Sequence, residues 1–154
     1  MIWPWLVLGV VVLLGATAIW YFWRVDDAER EARSLFDAQR PQLERLYFEA
    51  AGASGKPRGL RWKACEWSGH PEFARERSTG RLAALVSVTI QFEAVAGSDM
   101  EGLPAVGNLR NASAVFFYHQ RQWHTTGKTV FNLNPDEALG HFKNQYERLA
   151  TPPS

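Results

Sequence analysis

The chain begins with an uncharged, strongly apolar run from Ile2 to Trp23. As a helix rising about 1.5 Å per residue, the run is roughly 33 Å long, close to the thickness of a bilayer core. Aromatic residues lie at both ends, where rings settle at the membrane–water interfaces. We therefore predict a transmembrane anchor over residues 1–23 that contacts the lipid bilayer through residues 2–23. The predicted interface residues are Trp3, Trp5, Trp20, Tyr21, Trp23 and Arg24.

Two other interpretations of this run fit less well. A cleaved signal peptide needs a basic segment before its apolar stretch and a small-residue cleavage site. Ala16-Thr17-Ala18 offers such a site, but no Lys or Arg precedes the run, and residues 19–23 continue the apolar surface beyond it. A core helix that is apolar on all sides needs a large surrounding protein, which 154 residues do not supply. We favour the anchor, and cleavage of the N-terminus stays open.

The distribution of basic residues predicts the side of the membrane on which the rest of the chain lies. Arg24, Arg30 and Arg33 follow the run, and no Lys or Arg precedes it. The positive-inside rule then favours the cytoplasmic side for the soluble domain, with the opposite side left open. The single cysteine, Cys65, excludes an intrachain disulfide but excludes neither compartment.

Composition indicates one soluble domain with no strong overall charge. About 125 residues remain without the anchor and the C-terminal tail, enough for one domain with a core but not for two. The chain has 17 basic and 16 acidic residues, a net charge of +1, so we expect no nucleic-acid partner. We predict a juxtamembrane helical stalk over residues 24–40, a soluble α+β domain over 41–150 and a loose C-terminal tail over 151–154. Between stalk and domain, Pro41 predicts a kink or a new helix start.

Alternating side chains predict a sheet after the helical region. The first strand is predicted from Leu60 to Trp67, and the clearest strand runs from Leu82 to Ala94. Its period of two indicates an antiparallel sheet with one buried face and one wetter face. Residues 111–119 and 123–133 are two further strands, and the short 120–122 connection predicts a hairpin.

A final helix is predicted from a strong start signal. Asn134 suits the N-cap position, Pro135 the first helical position, and Glu137 completes a capping box. Apolar residues then recur at helical spacing as far as Leu149. The predicted fold class is α+β: an N-terminal transmembrane helix and helical stalk, then a curved four-stranded antiparallel sheet packed by helices. By element order only, this shape resembles the cystatin-like and NTF2-like folds.

The sequence holds no recognisable catalytic motif, so we predict no catalytic residues. A curved sheet closed by a helix can nevertheless form a pocket. The candidates for such a pocket are Glu93, Tyr118 and His119, because a carboxylate or imidazole could act there in proton transfer.

Metal binding is also poorly supported by spacing. Cys65 precedes His70 by five positions, and His119 precedes His124 by five. Zinc ligand pairs usually lie at tighter intervals. We expect no metal and no cofactor.

The loop over residues 97–108 is long for a connection inside a compact domain, and such loops are often functional. It carries apolar residues that a solvated connection does not need. We predict a contact loop for another protein through Met100, Leu103, Pro104 and Val106. The alternative is that the loop folds back over the open end of the sheet core.

A homodimer also stays open, because Val25, Ala28, Ala32 and Leu35 have the spacing of a short coiled-coil seam. The sequence as a whole favours a non-catalytic protein-interaction or scaffolding module on a single-pass membrane anchor. The alternative is a membrane-tethered enzyme or small-ligand binder that uses the concave face of the sheet.

Overall fold

The computed structural model describes residues 3–151, so the first two residues of the chain and residues 152–154 of the predicted tail lie outside it. The chain divides into two compact units, Met1–Ala38 and Gln39–Ser154. Helix α1, Trp3–Ala53, forms the first unit and supplies the first turns of the second.

The helix of the first unit has an exposed apolar surface. Among residues 3–151, α1 is the one helix long and apolar enough to cross a membrane, by length and composition alone. A signal sequence passes the same test. At the C-terminal end of the apolar run, the Arg24 guanidinium lies 5.2 Å from the centre of the Trp20 ring.

Helix α1 continues through Pro41, so the predicted new helix start at that residue is absent. A proline inside a helix removes one backbone hydrogen bond at a cost of about 3 kcal/mol. Beyond Pro41, the buried side chains Leu43, Tyr47 and Ala51 recur every four residues along one face. Burial of this face against the sheet offsets the cost of the proline.

The second unit contains a curled, five-stranded antiparallel sheet that forms half a barrel, with the strand order β4-β3-β2-β1-β5. The strands are β1 Leu60–Glu76, β2 Leu82–Ala94, β3 Arg110–His119, β4 Gln122–Phe131 and β5 Tyr146–Arg148. A 3₁₀ turn, Pro104–Gly107, lies between β2 and β3, and helix α2, Pro135–His141, lies between β4 and β5.

The prediction of four strands is wrong, and so is the length of the last helix. Helix α2 ends at His141, and Tyr146 begins β5, which pairs with Ala74–Glu76 of β1. The apolar residues from Leu139 to Leu149 have helical spacing, but the pattern arises because α2 and β5 pack against the same core.

Strand β1 is also longer than predicted, since it runs past Trp67 to Glu76. Gly69 and Pro71, residue types that usually interrupt a strand, lie at an irregularity of the β1–β2 register between Ser68 and Glu72. A β-bulge accommodates such residues inside a strand, where they would otherwise end it.

The predicted hairpin is confirmed. Strands β3 and β4 pair from His119↔Gln122 onward, and the two residues between them, Gln120 and Arg121, have φ values of 50° and 61°. Positive φ at both positions is what a type I′ turn, a common two-residue turn between antiparallel strands, requires.

Both faces of the sheet are covered in part of the second unit. Tyr47 of α1 contacts Trp62 of β1 and Thr129 of β4, strands from opposite sides of the sheet, so this part of α1 lies inside the curl. On the convex face, Ala83 and Leu85 of β2 are buried in a second core with α2 and Tyr146. The prediction of one wetter face is therefore wrong for the start of β2.

The capping box of α2 is confirmed and gives a first testable prediction. Asn134 Oδ1 accepts a 2.9 Å hydrogen bond from Glu137 N, and Glu137 Oε2 accepts a 3.0 Å bond from Asn134 N.

We expect Asn134→Ala to lower the free energy of unfolding by about 1 kcal/mol because the helix start loses its acceptor. Urea unfolding of the wild type and of Asn134→Ala measures this difference in free energy. The control Asn144→Ala, exposed in the turn after α2, should have little effect, and equal losses would contradict the prediction.

Candidate functional site: an exposed loop, a filled concave face and a groove

The concave face of the sheet is filled by aromatic side chains. The Tyr47 ring lies 6.0 Å from Trp62, 5.2 Å from Trp67 and 5.9 Å from Phe116, between ring centres. Trp62 in turn lies 5.1 Å from Phe92. Edge-to-face and tilted contacts at these distances are typical of a packed aromatic core.

The structure does not bring the predicted pocket candidates together. Tyr118 pairs with Leu82 at the start of β2, whereas Glu93 lies eleven positions further along that strand, roughly 36 Å away at about 3.3 Å per residue. Glu93 forms a 2.8 Å ion pair with Arg61 of β1. The Tyr118 ring packs 5.2 Å from Trp123, and His119 is exposed at the hairpin end.

The residues considered for metal binding do not form a set of three ligands. Within residues 3–151, no group of three or more His, Cys, Asp or Glu side chains could hold a metal ion. His124 lies opposite Phe117 in the β3–β4 pairing, while His119 lies opposite Gln122.

A groove of about 440 Å³ runs between the second-unit part of α1 and strand β1. Phe48 and Glu49 line its helix side, and Ala64, Cys65 and Trp67 line its strand side. No sequence pattern indicated this groove, because its two walls lie more than a dozen residues apart in the chain.

The Cys65 thiol lies half-buried in this groove, and burial raises its pKa from 9.0 to about 12. The thiolate is the reactive form. At pH 8 this rise lowers the thiolate fraction about a thousand-fold, and the greater nucleophilicity of a thiolate of higher pKa recovers part of that loss. We therefore expect native Cys65 to react with iodoacetamide on the order of a hundred-fold more slowly than in the urea-unfolded chain. Because the folded pKa is the higher one, the neutral thiol adds stability below pH 9 that is lost as the pH rises towards 12.

Mass spectrometry of the alkylated protein measures the rate. A matched control moves the cysteine to an exposed position on the same strand, with Cys65→Ala and Ser68→Cys combined. That thiol should react at nearly the unfolded rate. Equal native rates for Cys65 and the moved cysteine would contradict the prediction.

The loop between β2 and β3 is held by hydrogen bonds within it and by one to Gly59, just before β1. Ser98 Oγ donates to Gly59 O at 3.1 Å, and Glu101 Oε2 accepts from Gly97 N at 2.8 Å. Backbone bonds from Val106 N to Leu103 O at 3.1 Å and from Asn108 N to Ala105 O at 3.3 Å form the 3₁₀ turn. The loop therefore has a defined conformation.

The predicted contact residues in this loop divide into two pairs. Met100 and Val106 are half-buried, and Met100 approaches Gly59 closely. Leu103 and Pro104 are exposed, with 49% of Leu103 accessible. The structure adds Leu109, 61% accessible at the end of the same loop, which the sequence reasoning missed because it ended the loop at residue 108.

Comparisons with known proteins give no relative of this chain. No protein-family model, curated protein or solved structure matches it. The resemblance in element order to cystatin-like and NTF2-like folds stays a prediction, and any function has to be argued from the residues themselves.

Proposed function

We propose that this chain is a single-pass membrane protein whose α+β domain acts as a non-catalytic protein-interaction or scaffolding module. The observation that carries this proposal is the hydrogen-bonded loop that leaves Leu103 and Leu109 exposed. Leaving apolar surface in water forfeits about 25 cal/mol per Å². Apolar side chains held on a loop of defined conformation offer a surface that another protein would cover on binding.

The filled concave face supports this proposal over the alternative of an enzyme or small-ligand binder. That alternative requires an open concave face with Glu93 or His119 inside it. Tyr47 and Trp62 occupy the face, and the Glu93 carboxylate is engaged by Arg61. A packed aromatic core favours a structural role for these residues.

The exposed apolar surface of α1 supports the membrane anchor. Ile19, Trp20 and Phe22 each expose about 60% of their surface or more, which lipid would cover. We expect the full-length protein to stay in the pellet after alkaline carbonate extraction, with the N-terminus intact. Release into the supernatant, or an N-terminus at Ile19, would contradict the anchor.

The cytoplasmic side for the domain follows from the arginines after the apolar run. Fusing alkaline phosphatase or green fluorescent protein to the C-terminus tests it. We expect fluorescence without phosphatase activity, because green fluorescent protein folds in the cytoplasm and alkaline phosphatase needs an oxidising compartment.

The interaction proposal is tested by cross-linking the membrane-embedded protein and identifying the products by mass spectrometry. The double variant Leu103→Ser/Leu109→Ser removes the exposed apolar surface of the loop and leaves half-buried Met100 in place. We expect it to lose cross-linked partners that the wild type captures. The control Leu46→Ser changes a leucine 43% exposed on α1. Identical cross-links in the wild type and the loop variant would overturn the proposal.

A further inference from the structure

The outer edge of β1 is only partly covered. Strand β5 lies beyond β1 but pairs with only Ala74–Glu76, and Leu149 N adds one bond to Phe73 O at 3.0 Å. Among the described residues, no strand pairs with the remaining outer edge of β1. Backbone N–H and C=O groups on such an edge are a template for a further strand.

One stretch of this edge is regular. Between the register irregularities at Trp62/Ala64 and Ser68/Glu72, residues Ala64 to Ser68 pair with β2 without interruption. Five residues is a common strand length. The irregularities on either side and the exposed charge of Lys63 limit unspecific pairing with other chains. The part of the edge that can accept another strand is therefore the five residues between the irregularities.

The groove lies beside this same stretch. Cys65 and Trp67 lie opposite Ile90 and Val88, which are buried in the concave core, so both side chains point to the helix side of the sheet. A strand added at this edge would direct alternate side chains to that side. The groove volume is about 440 Å³, and its far wall consists of Pro41 and Phe48 beside three charged residues, Glu44, Arg45 and Glu49. The apolar part of this wall accommodates an apolar side chain.

The convex face of the sheet carries a negative charge at this edge, and that charge favours a basic side chain on the partner strand. Glu66 lies opposite Thr89, on the convex side, and is exposed. Within residues 3–151 it makes no ion pair. Residues directly opposite each other on neighbouring strands interact, and opposite charges stabilise such pairs.

We propose that residues Ala64–Ser68 of β1 accept an extended segment of a partner protein as a sixth, antiparallel strand. Its backbone completes the hydrogen bonds of the edge, an apolar side chain enters the groove, and a basic side chain lies opposite Glu66. This is the strand-addition mode of peptide recognition, in which the main chain supplies affinity and alternate side chains supply specificity. The surface is separate from the loop that contains Leu103, so it extends the interaction proposal without depending on that loop.

The test uses the full chain in detergent micelles and a display library of random nine-residue peptides. We expect enriched peptides with apolar residues at alternate positions and a basic residue between them. Binding of a synthetic enriched peptide should weaken at least tenfold in Cys65→Trp, which fills the groove, and in Glu66→Lys, which reverses the exposed charge. The control Thr126→Trp places the same bulk on the exposed edge of β4 and should bind normally.

N-methylation of the peptide backbone separates strand addition from other modes of binding. One peptide series is methylated at the odd-numbered residues and the other at the even-numbered residues. Only alternate N–H groups of the peptide face the edge of β1, so one series should lose binding and the other should keep it. The Leu103→Ser/Leu109→Ser variant should retain binding, so failure here is distinguishable from failure of the loop. No enrichment, equal binding by both methylated series, or undiminished binding to Glu66→Lys would each overturn the proposal.

Discussion

Replacing Tyr47 with alanine is expected to lower the free energy of unfolding by about 3–5 kcal/mol. The Tyr47 side chain is fully buried and contacts Trp62, Trp67 and Phe116 at once. Its removal leaves a cavity among large rings that cannot collapse around it. Since a domain of this size has only about 5–15 kcal/mol of stability, the variant should be close to unfolding. Urea unfolding of the full chain in micelles, followed by near-ultraviolet circular dichroism, measures the loss.

The conservative variant Tyr47→Phe isolates the hydroxyl group. Thr129 Oγ1 donates to Gly127 O at 2.9 Å, so the 2.6 Å bond between the two hydroxyls is donated by Tyr47. Its loss should cost about 1 kcal/mol. Burial raises the pKa of Tyr47 well above its usual value, so the hydroxyl stays protonated and able to donate. If the alanine variant were no less stable than the phenylalanine variant, the ring would not be the centre of this core.

Features decided by neighbouring residues were predictable from the sequence. The capping box at Asn134 involves residues three positions apart, and the β3–β4 hairpin depends on a two-residue turn. Each is a local interaction whose residue types determine its geometry. The α+β class with an antiparallel sheet followed from such local signals.

Features decided by long-range packing were not predictable in the same way. Strand β5 exists because Tyr146 pairs with Glu76, seventy residues earlier, and its own three residues carry no strand pattern. The groove beside Cys65 also depends on how α1 and β1 approach each other. The sequence analysis placed Glu93 and His119 in one pocket only because both residue types can transfer protons. The strand register places the two residues at opposite ends of the sheet.

Gly127 is the clearest example of a residue whose role appears only in the folded chain. In the sequence it is one glycine inside a predicted strand. In the structure, a Cβ atom at this position would lie 2.5 Å from Ala51 N and 2.7 Å from Ala51 Cα. Glycine therefore allows the end of α1 to approach the backbone of β4, a packing reason that strand glycines often have.

We expect Gly127→Ala to lower the free energy of unfolding by about 3 kcal/mol. A φ of +75° costs a non-glycine residue about 1–2 kcal/mol, and overpacking against a backbone that cannot rotate away adds about 1–3 kcal/mol. The matched control is Gly80→Ala, which has a φ of +71° but no atom within 4 Å of its added Cβ. It should show the backbone cost alone. Urea unfolding of both variants gives the difference, which measures the helix–strand contact directly. Equal losses would mean that α1 and β4 can separate without cost, and the close approach at Ala51 would then not hold the helix in the curl of the sheet.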